Sequence, residues 1–282
     1  MVVDTHAHIV AADQQRYPRR LAHAGISSWV HDLTAEEMLG HMDAAGIDCA
    51  VLSQAYGAYA GDNSYLADGV ARYPRRFAGV FAVDPLQEDA PGRATHWARE
   101  RGLHGLRMVT LTLPELRLDD PWTLPLWKRA AELEIPLCII VRFGQVGLLP
   151  ALLERFPNVT VALEHMGMPQ LGGGLPYDDI QPLLDLARFA NCYVKFSTVN
   201  IYAAMEGRST CAGFFRPVVD RFGPHRLMWG SNFPSTHDRS LKEQVDLARE
   251  QLSFLTAEEQ RWIFGETALG LWPTLRHRLA AR

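Results

Sequence analysis

Cysteine is scarce in this chain of 282 residues: there are four, Cys49, Cys138, Cys192 and Cys211, far apart and without a CxxC pair. That spacing excludes a disulfide scaffold and a cysteine-rich zinc site. Three of them fall in apolar, strand-like runs, so buried thiols are expected. There is no surplus of basic charge, since 28 Lys+Arg stand against 32 Asp+Glu for a net charge of -4. Nucleic acid is therefore not an expected partner. No apolar run reaches the roughly 18 residues of a membrane span, and Asp4, His6 and His8 arrive before any charged and apolar leader could form. No membrane partner and a cytoplasmic location follow as expectations. Linkers, low-complexity tracts and short repeats are missing too, so residues 1–282 are expected to form a single domain.

What is present is a composition of 48% hydrophobic and 21% charged residues, enough to bury a sizeable core. Short apolar runs recur: Val2 to Asp4, Asp48 to Ser53, Phe77 to Val83, Gly105 to Val109, Leu137 to Val141, Val159 to Glu164, Cys192 to Ser197, and Arg226 to Gly230. Helical patterns lie between them near residues 35–45, 64–73, 90–101, 123–134, 147–155, 179–190, 213–222 and 240–252, with a last one near 257–264. Thr34 with Glu37 reads as a capping box, Gly46 and Gly102 follow helix ends, and Pro136 opens a strand. Eight strands alternating with eight helices predict a (β/α)8 barrel, an α/β fold for which about 250 residues is typical. The competing doubly wound sheet lacks its nucleotide fingerprint, because Gly172-Gly173-Gly174 does not open a helix directly.

Barrel enzymes carry their chemistry at the C-terminal ends of the strands. Here those ends read Asp4-Thr5-His6-Ala7-His8, then Glu164-His165, then Ser231-Asn232. Residues two apart on a strand share a face, so His6 and His8 enter the barrel mouth together if Ala7 faces outward. An isolated HxH arises readily by chance and a structural pair is the plain alternative. A closed barrel would bring His165 to the same mouth, which favours a site.

These residues resemble a known family. Asp-Thr-His-Ala-His at the start, Leu163-Glu164-His165-Met166-Gly167 in the middle and Trp229-Gly230-Ser231-Asn232-Phe233-Pro234 near the end are similar to the amidohydrolase superfamily. The likeness is to its amidohydrolase-related branch of pyrone-dicarboxylate lactonases, sugar lactonases, galactarolactone isomerases and, more distantly, decarboxylases. It extends from residue 2 to about 273, with further matches at Gln54, Asp62-Asn63, Gly105-Leu106-Arg107 and Val194-Lys195-Phe196-Ser197. The resemblance implies a distorted amidohydrolase-type barrel. It places the first-strand histidine pair on His6 and His8, the sixth-strand histidine on His165 and the eighth-strand aspartate on Asn232.

Asn232 departs from the pattern. A neutral amide cannot take a proton from attacking water as a carboxylate does, and it removes the one anionic ligand that a divalent ion would find there. Two arrangements stay open. The three histidines can hold zinc with water in the fourth position. Alternatively they bind no metal, as the resemblance to the lactonases implies, and act as hydrogen-bond donors to a lactone carbonyl.

The expected function is hydrolysis of a small cyclic ester or related carbonyl compound, with lactone isomerisation, metal-dependent hydrolysis and non-oxidative decarboxylation of a cyclic acid as alternatives. A catalytically decayed binder of small molecules is the alternative outside enzymes. Arg107, Arg142 and Lys195, each in an otherwise apolar run, are the candidate anchors for substrate; by the resemblance Arg107 lies near a substrate carboxylate. Met168 and the apolar loop Thr198-Val199-Asn200-Ile201-Tyr202 supply no second cation, so a substrate with one carboxylate, or a neutral lactone, is expected rather than a dicarboxylate. Tyr56, with Tyr59 and Tyr202, is expected to shape the pocket, and His237 to border it. The loops near 14–32 and 168–178 are expected either to cover the mouth or to meet a second subunit of a homo-oligomer.

Overall fold

The structure is a computed structural model describing residues 1–20, 31–110, 113, 115–177 and 180–279, with 277–279 described by backbone alone. Residues 21–30 of the expected mouth loop, with His23, lie outside the described residues, as do residue 178 and the side chain of His277.

Eight strands form one sheet in the order β1 to β8, each strand from β1 to β7 pairing in parallel with the next: β1 Val3–Ala7, β2 Cys49–Ser53, β3 Phe77–Ala82, β4 Gly105–Val109, β5 Leu137–Ile140, β6 Val161–Leu163, β7 Cys192–Ser197 and β8 Leu227–Gly230. The seam between β8 and β1 is closed by Thr5 Oγ1 donating to the Trp229 carbonyl at 2.7 Å, Asn232 N to the His6 carbonyl at 2.7 Å and His8 N to the Phe233 carbonyl at 2.9 Å. This is the expected (β/α)8 barrel. β1 runs farther than its sequence pattern predicted, because Thr5, His6 and Ala7 continue the strand.

The helices follow from ordinary end signals. Thr34 and Glu37 form the reciprocal cap of helix Ala35–Ala45, and Gly46 ends it in the left-handed region at φ 68°. The segment after Ser197, expected as a loop, is instead helix Thr198–Met205. Asn200 Oδ1 accepts from Ser197 N at 3.0 Å, while Ile201 and Ala204 supply a buried face.

Alternation along the strands divides the core into two layers. Outward side chains such as Ala50, Leu52, Leu106, Ile139 and Leu163 pack under the helices. Inward side chains Val3, Cys49, Val51, Ala78, Val80, Cys138, Ala162 and Met228 fill the lower barrel, sealed by Ala268, Leu269, Trp272 and Leu275. All four cysteines are buried, and among the described residues none forms a disulfide.

β1 breaks the alternation. Val3 pairs with Cys49 and Asp4 with Ala50, yet Ala7 pairs with Leu52, a one-residue bulge. Without it Ala7 would share the inward phase of Val3; with it Ala7 joins the outward layer and the phase of His6 and His8 reverses.

Candidate active site

The bulge is held by Asp4. Its Oδ1 accepts from the backbone N–H of His6 at 3.0 Å and of Ser231 at 2.9 Å, and its Oδ2 from Ser231 Oγ at 2.5 Å. One carboxylate thus ties the turn after β8 to the histidine segment of β1. Burial lifts its pKa above the ordinary value, with Ser231 and His6 partly opposing that rise. Gly230 lets these segments approach, since a Cβ there would lie 2.6 Å from His6 Cβ and 2.7 Å from its backbone nitrogen.

His6, His8 and His165 come together in the interior. The ring centroids of His6 and His8 are 4.9 Å apart, and those of His6 and His165 are 4.5 Å apart. All three are buried. His165 sits in an unusual left-handed turn directly after β6, in which His165, Met166, Gly167 and Met168 all have φ between 50° and 70°. Three of these are not glycine, so the turn is strained. Met168 N and Asn200 Nδ2 both donate to the His165 carbonyl, each at 2.8 Å, and hold the turn from either side.

Each imidazole has its Nδ1 beside a protein group. His8 Nδ1 lies 2.8 Å from the Ser53 carbonyl, His165 Nδ1 lies 2.7 Å from Ser197 Oγ, and His6 Nδ1 lies 3.4 Å from Glu164 Oε1 and 3.5 Å from Ser53 Oγ. Burial pushes all three pKa values down, His8 to about 3, His165 to about 4 and His6 well below 6.5, so they are neutral at pH 7. A carbonyl can only accept, so neutral His8 is protonated at Nδ1 and carries its lone pair at Nε2. The serine hydroxyl beside His165 can play either part. Among the described residues His6 Nε2 is buried without a hydrogen-bond partner.

Glu164 was read from sequence as a strand-end residue beside His165 but was given no role in the site. It is fully buried beneath the histidines, with Arg107 Nε donating to Oε2 at 2.9 Å and Lys195 Nζ to Oε1 at 3.2 Å. Burial would raise its pKa, but Arg107, His6 and Lys195 hold it well below the carboxylate range. Its signal was alternation: Ala162 faces inward, and Glu164 follows two residues later.

Arg107 also donates from Nη1 to the Gln54 carbonyl at 2.9 Å, so two edges of its guanidinium are occupied. Lys195 is sealed in the barrel and stands 5.8 Å above the Trp272 ring. Arg142, just past β5, is exposed and its side chain makes no ion pair or hydrogen bond among the described residues. Tyr56 packs on Ala82, Val109 and Ile140, at the upper ends of β3, β4 and β5, and burial pushes its hydroxyl up to about 12. Tyr59 instead accepts from Ala11 N at 2.7 Å, and Tyr202 donates to Asp238 at 2.6 Å. Asn232, at φ 64°, donates from Nδ2 to Thr236 Oγ1 at 3.0 Å. His237 is exposed, 5.6 Å from the His31 ring.

The amidohydrolase family model matches residues 3–274, and the chain belongs to that family. Among curated proteins it is similar to an L-fucono-1,5-lactonase of Burkholderia ambifaria, 26% identical over 175 residues, 61% of this chain and 60% of the relative. The match thus spans about three fifths of that relative's length. A candidate 2-pyrone-4,6-dicarboxylic acid hydrolase from Pseudomonas putida shares the fold at TM-score 0.79 and 22% identity, covering 97% of each chain. An amidohydrolase from Burkholderia multivorans with bound zinc shares it at TM-score 0.74 and 21% identity, over 97% of this chain and 99% of its own. Among the described residues no helix is long and apolar enough to cross a membrane.

Proposed function

We propose that the protein hydrolyses a small cyclic ester, in the manner of a sugar lactonase, with His6, His8 and His165 holding one divalent ion, zinc by preference. The observation that carries this is the tautomer of His8. An imidazole whose Nδ1–H is committed to the Ser53 carbonyl offers a lone pair from Nε2, which suits a metal and not an anion that needs a donor. The Nε2 of His6, unpartnered among the described residues, fits the same use, as does the backing of each Nδ1 by a carboxylate, carbonyl or hydroxyl. Two of these ligands, His6 and His165, offer ligand atoms within 4.8 Å of one another, in a group that includes Glu164 and not His8. The similarity to a lactonase and to a zinc-bound amidohydrolase supports the same reading.

When bound, such an ion supplies Lewis acidity at the carbonyl and lowers the pKa of water to near 7. The remaining work belongs to the chain. Asn232 orients the attacking water through its Oδ1, since Nδ2 is engaged by Thr236. Tyr56, neutral at pH 7, donates to a ring oxygen of the substrate, and its aromatic face limits the pocket to a single ring. Arg142, exposed and unpaired among the described residues, anchors the substrate carboxylate, while Arg107 and Lys195 serve Glu164. Water adds to the lactone carbonyl, the ring C–O bond breaks, and the proton given up by water ends on the ring oxygen, leaving a hydroxy acid.

Asn232 favours a second reading, lactone ring migration, in which a hydroxyl of the substrate attacks in place of water. One experiment separates them. Sugar 1,4- and 1,5-lactones are incubated with zinc-loaded protein and followed by NMR. A hydroxy acid supports hydrolysis, an isomeric lactone supports migration, and neither product, with a folded, zinc-bearing protein, refutes both. Metal content per chain in wild type and His165→Ala tests the ligand set.

A further inference from the structure

The atoms around Glu164 point to a task for a residue that does not reach solvent. Glu164 and His6 meet across the barrel at 3.4 Å, and Oε1 of the same carboxylate receives Lys195 while Oε2 receives Arg107. His6 Nδ1 therefore faces an oxygen that can only accept, together with a more distant serine hydroxyl. The carboxylate decides the tautomer: Nδ1 carries the proton and Nε2, buried and unpartnered among the described residues, carries the lone pair.

We propose that Glu164 is the positioning residue for His6, fixing its ring and tautomer so that Nε2 is presented to a divalent cation, with Lys195 and Arg107 holding its carboxylate in place. This deepens the metal-site reading above and rests on it. Glu164 is not itself placed as a ligand, although its carboxylate lies close enough to the histidines. Each of its oxygens already holds a cation, and a metal at Oε1 would sit beside the Lys195 ammonium.

The charge count supplies a clean test. Glu164 with Arg107 and Lys195 carries one net positive charge, and Glu164→Gln alone leaves two buried cations and risks misfolding. The double variant Glu164→Gln/Lys195→Met restores one net positive charge at similar volume. Lys195→Met alone, which keeps Glu164, is the control. Chelator-treated, dialysed proteins are titrated with Zn²⁺ against a chromogenic chelator, with thermal melting to confirm folding. The expected result is a Kd ten- to hundredfold weaker in the double variant than in Lys195→Met, the range typical of losing an outer-shell partner. A folded double variant that binds within about threefold of Lys195→Met would overturn the proposal. So would complete loss of zinc from a folded protein, which would mark Glu164 as a ligand.

A second readout needs no metal. ¹⁵N NMR of the imidazole side chains should show His6 as the Nδ1–H tautomer in the apo wild type and a mixture in the double variant. An Nε2–H tautomer in the wild type would overturn the proposal outright. Wild type that binds no zinc but shows Nδ1–H on His6, lost in the double variant, would refute the metal reading while keeping the orienting role of Glu164.

Discussion

Replacing Asp4 by alanine should damage this protein well beyond the loss of one side chain. Asp4 accepts two backbone N–H groups, from His6 and Ser231, and the Ser231 hydroxyl, all without solvent access. Alanine leaves these donors buried and unsatisfied, at about 1–3 kcal/mol each. The wild-type protein offsets part of this by the cost of burying a carboxylate, so a net loss of about 2–4 kcal/mol is expected. For a chain of 282 residues, at about 2.1 cal/mol/K of unfolding entropy per residue, that corresponds to a fall in Tm of about 3–7 °C. The same carboxylate stabilises the bulge that turns His6 and His8 inward, so zinc affinity should fall with stability. Asp4→Asn, which keeps an acceptor oxygen for the backbone groups, should lose less of both. Differential scanning calorimetry and zinc titration of the three proteins make the comparison. A fall of less than about 2 °C for Asp4→Ala, with zinc bound as in wild type, would refute the role assigned to this residue.

Further expectations concern charge and protonation. His8 and His165 titrate near 3 and 4 in the fold against an ordinary 6.5, so below 6.5 the unfolded chain takes up protons that the native state refuses. The chelator-treated protein should therefore lose stability steadily as pH falls from about 7 to 5, and a flat or rising Tm over that window would contradict the buried neutral histidines. Asn232→Asp supplies the missing base and should raise the hydrolytic kcat by about tenfold or more; an unchanged rate would mean that the wild type needs no base there. Arg142→Ala should raise KM by about tenfold for a lactone bearing a carboxylate and leave a neutral lactone unaffected, and equal effects on both would remove Arg142 from substrate binding.

Much of the barrel was legible because strand and helix periodicities are local. β4 and β7 coincide with their apolar runs, and helix Ala35–Ala45 with its pattern. The segment after Ser197 was misread as a loop: its small and β-branched residues carry little helical amphipathicity, and the helix depends on Asn200 and on the core it packs against. Lys195 and Arg107 were legible as unusual charges in apolar runs. Their partner was not, because β4, β6 and β7 contribute one member each, and strands distant in sequence reveal no register.

By itself the sequence determined the alternating pattern that makes a barrel and the residues that stand at the strand ends: His6, His8, Glu164, His165 and Asn232. It also determined that Asn232 is no base, since that is a property of the amide and not of its surroundings. Only the tertiary structure decided which way those residues face. In a regular β1, the inward phase of Val3 would have carried Ala7 into the barrel and His6 and His8 away from it. One extra residue, accommodated between Asp4 and Ala7, reverses that. The bulge is stable only because Ser231, more than two hundred residues away, shares Asp4 with His6, and a long-range contact of that kind leaves no periodic trace in the chain.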